Sequence, residues 1–104
     1  MSLDLYLACQ TCSHVDHETL NITHNLRRIC VEAGCDPWEW EGRTARDTLP
    51  ELTAAIGALA AGDKDFRRWV PENGWGSVGG TFRFLERVRA VGEQYPDRTW
   101  RVSR

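Results

Sequence analysis

Apolar residues occupy every second position at the start of the chain. Leu3, Leu5, Leu7 and Cys9 fall on one face of an extended segment and Asp4, Tyr6 and Ala8 on the other, the period of a half-buried strand. A weaker alternation from His17 to Ile22 predicts a returning hairpin partner, with Gln10 to Asp16 as the connection. Thr99 to Ser103 alternates again, behind the turn-forming Tyr95-Pro96-Asp97. Because a two-stranded ribbon is marginal on its own, the terminal strand is expected to join the first in one small antiparallel sheet.

Between these strands the period lengthens to that of helices. Leu26, Ile29, Cys30 and Ala33 recur at i, i+3, i+4 and i+7, with Thr23 as N-cap and Gly34 as the closing residue. A second helix is predicted from the region of Thr44 to Thr48 as far as Ala61. Its inward residues are Leu49, Leu52, Ile56 and Leu59, Pro50 stands in its first turn, and Gly62 ends it. Asp63 is expected to cap a short turn through Trp69, stopped by Pro71. Ser77 then opens a long helix to about Gln94, with Val78, Phe82, Leu85, Val88 and Val91 buried. Asp36 to Arg43, with Pro37, Trp38 and Trp40, reads as a loop packed by its own aromatics. The predicted class is α+β: a small antiparallel sheet from the N- and C-terminal strands with three to four packed helices, residues 1–104 forming a single domain.

Composition narrows the function. The 104 residues are 41% hydrophobic and 27% charged, which disfavours disorder and low-complexity classes. Since no apolar run approaches the length of a membrane-spanning helix and the N-terminus lacks the order of a signal peptide, a cytoplasmic protein with no membrane partner is expected. A formal net charge of −2 argues against general nucleic-acid binding, which selects a strongly basic face. Of 13 basic residues only Lys64 is a lysine, and arginine is the better fork for carboxylate or phosphate. Five tryptophans exceed what a core this small needs, so some are expected to line a surface or pocket.

Two polar clusters stand out. Asn21-Ile22-Thr23-His24-Asn25-Leu26 lies at a strand-to-helix junction, where unpaired backbone N–H groups and the positive end of a helix dipole attract anions and polar ligands. Pro71-Glu72-Asn73-Gly74-Trp75-Gly76 precedes the last helix, with two glycines that let the backbone turn sharply around one indole. Together with Leu-Asp-Leu-Tyr-Leu near the start and a closing Val-Ser-Arg, these motifs resemble a family of small proteins encoded by bacteriophages and some bacteria. The resemblance implies an α+β fold with a terminal ribbon and singles out Asn21, Thr23, His24, Asn25, Glu72, Asn73, Gly74 and Trp75. It supplies no reaction, and the cysteines do not belong to its pattern.

Cys9-x2-Cys12-x-His14-x2-His17 followed by Cys30-x4-Cys35 offers soft ligands for tetrahedral zinc. Periodicity opposes that assignment: Cys9 continues the inward face of the first strand and Cys30 the inward stripe of the first helix, so no metal or other cofactor is expected. The expected function is a binding module for a small polar or nucleotide-derived ligand, held between His24 and the Asn73 to Trp75 loop by amide groups, an indole face and a nearby arginine. Sequestration of a host defence signal fits the phage-like resemblance. Two alternatives stay open: a small enzyme using His24 as general acid or base, oriented by Asn25 or Glu72, and a module that blocks a host protein partner through Trp38, Trp40 and Arg43.

Overall fold

The computed structural model describes residues 2–9, 19–62, 64–70 and 77–104. Strand β1 (Ser2–Ala8) takes the centre of an antiparallel sheet, with β2 (Leu20–Thr23) on one side and β3 (Thr99–Ser103) on the other. Register follows the hydrophobic pattern, since a one-residue slip would turn every leucine outward. Leu3 pairs with Ile22, Leu5 with Leu20 and Val102, and Leu7 with Trp100. The inward residues Leu3, Leu5, Leu7 and Trp100 are fully buried, whereas Asp4, Tyr6, Asn21 and Arg101 take the other face. Cys9 lies one residue beyond the strand and is only half-buried, so the inward stripe of β1 ends at Leu7.

Helices α1 (Arg27–Ala33), α2 (Ala45–Ala61) and α3 (Val78–Gln94) pack over the buried face. The first begins later than its periodicity predicts. Thr23 caps a 3-10 turn, His24–Leu26, and α-geometry starts only at Arg27 because Leu26 sits at ψ 1°. Its end is as expected, with Gly34 at φ +126°, a conformation that favours glycine.

Pro50 is not in the first turn of α2. Thr44 is the N-cap, so Pro50 falls in the second turn, inside the helix. The early start has a tertiary cause: the first N–H groups of α2, which no helical carbonyl can satisfy, find the chain ahead of β3. Ala45 N donates to Arg98 O at 2.9 Å, Arg46 N to Pro96 O at 2.9 Å, and Asp47 N to Thr44 Oγ1 at 3.2 Å. Residues 42–44 run on along β3, where Gly42 N donates to Trp100 O and Trp100 N to Arg43 O. The free edge of β3 is therefore paired.

Ser77 caps α3 as predicted, its Oγ accepting from Gly80 N at 2.9 Å. The buried face is rotated from the predicted stripe: Thr81, Phe84, Leu85, Val88 and Gly92 are buried, and Val78, Phe82 and Val91 only partly so. Gly92 accounts for this. A Cβ there would lie 3.4 Å from Leu49 Cδ2 and 3.6 Å from Ala45 Cβ, so the two small residues bring α2 and α3 together on that line. Asp63 and Pro71 lie outside the described residues. The turn between α2 and α3 is a 3-10 helix, Phe66–Trp69, with Asp65 before it. No described helix is long and apolar enough to cross a membrane.

Candidate functional site

The strand-to-helix junction does not gather its polar residues at one point. Asn21 turns to the outer face of the sheet, where its Nδ2 donates to Asp4 Oδ1 at 2.7 Å, to Ser2 Oγ at 3.1 Å and to Leu3 O at 3.2 Å. That side chain braces the β1–β2 pair. Thr23 Oγ1 accepts from Asn25 N at 3.5 Å, and the Asn25 side chain faces solvent. His24 goes inward instead, its ring edge-on to Trp38 with centroids 5.9 Å apart. Its Nε2 is buried and, like Trp38 Nε1, has no hydrogen-bond partner among the described residues, an arrangement that costs about 1–3 kcal/mol per atom. Glu72, Asn73, Gly74 and Trp75 lie outside the described residues, as do Cys12, His14 and His17.

Arg27 covers Trp38, its guanidinium carbon 5.8 Å from the ring centroid. It is not free for an anion. Nε and Nη2 fork onto Asp36 at 3.1 and 2.8 Å, and Nη2 also reaches Glu39 at 3.0 Å. The hydrogen bond to Asp36, opposed by partial burial and supported by the charges of both carboxylates, raises the Arg27 pKa. Arg104 closes the same corner by donating to Trp38 O at 2.6 Å.

The aromatic loop is part of the core. Trp38 is 1% exposed and Trp40 fully buried, with Trp40 packed on Trp100 at 5.6 Å. Arg43 is held by Asp47 at 2.8 Å and by Glu51. The expectation that Trp38, Trp40 and Arg43 present a surface to a partner is therefore wrong: the indoles fill space between the sheet and the helices, where burial of a large side chain stabilises by a few kcal/mol.

A cavity of about 500 Å³ opens elsewhere, between the end of α2, the Phe66–Trp69 turn and the start of α3. Leu59, Phe66 and Val78 give it an apolar wall, and Lys64, Asp65 and Arg67 its polar one. Phe66 is nearly fully buried and packs on Trp69 with ring centroids 6.1 Å apart. Lys64 Nζ lies 3.7 Å from Glu32 Oε1, and Arg67 Nε 3.4 Å from Asp65 Oδ1. These are exposed pairs of little strength, so both cations can change partner. No family model matches this chain, and no curated protein or solved structure does.

Among the described residues that line the cavity, none belongs to the Asn21 to Leu26 motif; the Pro71 to Gly76 motif lies outside the described residues. The available signal was the run Lys64-Asp65-Phe66-Arg67-Arg68-Trp69, in which cations alternate with aromatics. Among the described residues no group of three or more His, Cys, Asp or Glu side chains is placed to hold a metal ion. Cys30 and Cys35 are buried at the end of α1.

Proposed function

We propose that the protein is a binding module for a small ligand that joins a flat ring to negative charge, as a nucleotide does. The observation that carries this reading is the cavity of about 500 Å³ with an apolar wall and a polar side on which the two cations Lys64 and Arg67 outnumber the one carboxylate, Asp65. Its size falls within the range of small-molecule pockets, which are mostly apolar with a few polar groups that fix orientation. Leu59, Phe66 and Val78 suit the faces of a ring, and Lys64 and Arg67 suit an anionic substituent. With the phage-like resemblance of the sequence, such a module suits sequestration of a host defence signal. An acid–base role for His24 has less support, since no described side chain orients its ring and its Nε2 is buried against Trp38.

Titration calorimetry with a panel of nucleosides and nucleotides tests the reading. At least one member should bind at one per chain, and Lys64→Glu and Val78→Trp should each weaken that binding about tenfold or more, by reversing a charge and by filling the cavity. His24→Ala, which does not line the cavity, should bind like the unaltered protein. Silence across the panel, or binding lost in His24→Ala and retained in Val78→Trp, refutes the assignment.

A further inference from the structure

Beside the cavity, the indole of Trp69 carries two guanidiniums. The Cζ of Arg28, from α1, lies 5.3 Å from the ring centroid, and that of Arg68 lies 5.2 Å away. A guanidinium over an indole is attracted to the ring, and its five N–H donors remain to be satisfied by other partners. Arg28 uses one edge on Glu32, with Nε to Oε2 at 3.2 Å. Arg68 forms neither an ion pair nor a side-chain hydrogen bond among the described residues. The same Glu32 also serves Lys64, and Asp65 serves Arg67. Among the described residues, three cations thus share two carboxylates on this patch and Arg68 adds a fourth positive charge with no carboxylate partner.

The patch continues the cavity, because Lys64 and Arg67 belong to both. Arg28 shares Glu32 with Lys64, and Arg68 follows Arg67 in the chain and meets Arg28 at the Trp69 ring. Lys64 and Arg67 already suffice for a single phosphate. Of the two guanidiniums beside the Trp69 ring only Arg28 has a carboxylate partner among the described residues, which leaves Arg68 with donors for an added anion. We propose that the Arg28, Trp69 and Arg68 stack binds the outer phosphates of the cavity's ligand, so that the ligand is a polyphosphate ester and not a monophosphate. This inference rests on the cavity reading above and adds the length of the phosphate chain to it.

Adenosine, AMP, ATP and inorganic tripolyphosphate, titrated at low and at moderate salt into the unaltered protein and into Arg28→Gln/Arg68→Gln, separate the two readings. ATP should bind about tenfold or more tightly than AMP at low salt, with the gain shrinking as salt rises. The double variant should keep the AMP affinity and lose the gain. An unchanged thermal midpoint shows that it is folded. Equal affinity for AMP and ATP overturns the polyphosphate inference and leaves the cavity standing. A gain that survives in the double variant overturns the assignment to the Trp69 stack. Tripolyphosphate binding that needs Arg28 and Arg68, with adenosine and AMP both silent, supports the phosphate patch and overturns the cavity as a ring site. Silence from all four probes overturns both.

Discussion

At the scale of single residues, Cys30 and Cys35 meet because of how α1 ends. Gly34 N donates to Val31 O at 3.1 Å and Cys35 N to Cys30 O at 3.0 Å, the paired bonds of a Schellman motif, which commonly sets two apolar side chains against each other. Here both are thiols. Burial above all, with the nearby Asp36 charge, pushes the Cys30 thiol up to about 12. Burial, with smaller electrostatic contributions from Cys30, Glu51 and Asp36, raises Cys35 as well. A thiol whose folded pKa is raised stabilises the fold fully below the unfolded pKa and loses that contribution as pH climbs. Urea-unfolding free energy should therefore fall from about pH 9 toward pH 12, and Cys30→Ala/Cys35→Ala should flatten the fall. Iodoacetamide should leave both cysteines unmodified in the native protein and label both in urea; native labelling at the denatured rate would contradict their burial.

At the scale of elements, α2 is the informative case. Its helical period, a start in the region of Thr44 to Thr48 and its C-terminal Gly62, at φ +68°, were readable from the residues, but the place of Pro50 within it was not. Pro50 suggested a start close by, since proline is tolerated in a first turn. The helix starts at Ala45, at the early end of the predicted region, where Arg98 O and Pro96 O accept the N–H groups of Ala45 and Arg46. Pro50 then sits where an N–H would have met the carbonyl of Arg46. Pro50→Ala should raise the unfolding free energy by about 1–3 kcal/mol, the cost of interior proline less the entropy that the freer unfolded chain regains. A drop in the chemical denaturation midpoint would show that the helix is not continuous through this position.

At the scale of the whole molecule, β3 ties the two ends of the chain together. Trp100 pairs across from Leu7, packs on Trp40, and donates from Nε1 to Thr48 Oγ1 at 2.9 Å. Thr48 in turn donates to Ala45 O at 2.8 Å. One strand thus closes the sheet, fills the core and anchors α2. Removal of residues 99–104 should abolish the cooperative thermal transition and the near-ultraviolet signal of the packed indoles, since losing a buried tryptophan alone costs about 3–5 kcal/mol against a total of 5–15. A truncated chain that still melted cooperatively would refute this reading of β3.

Local periodicity by itself determined the strands, the central helices and the burial of Leu3, Leu5, Leu7 and Cys30, because side-chain alternation depends only on neighbours along the chain. It also identified Gly62 as a helix-ending residue and Ser77 as a cap, whose chemistry is local, and placed the start of α2 in the region of Thr44 to Thr48. Tertiary structure alone decided three things. Trp38 and Trp40 went inward, because only the assembled sheet and helices make a space that two indoles fill. The α3 face rotated toward Gly92, because close approach to Ala45 requires a partner helix. The cavity at Lys64, Phe66 and Arg67 is the third, because a concavity belongs to surfaces that converge from distant parts of the chain. No spacing within one segment can specify where such surfaces meet.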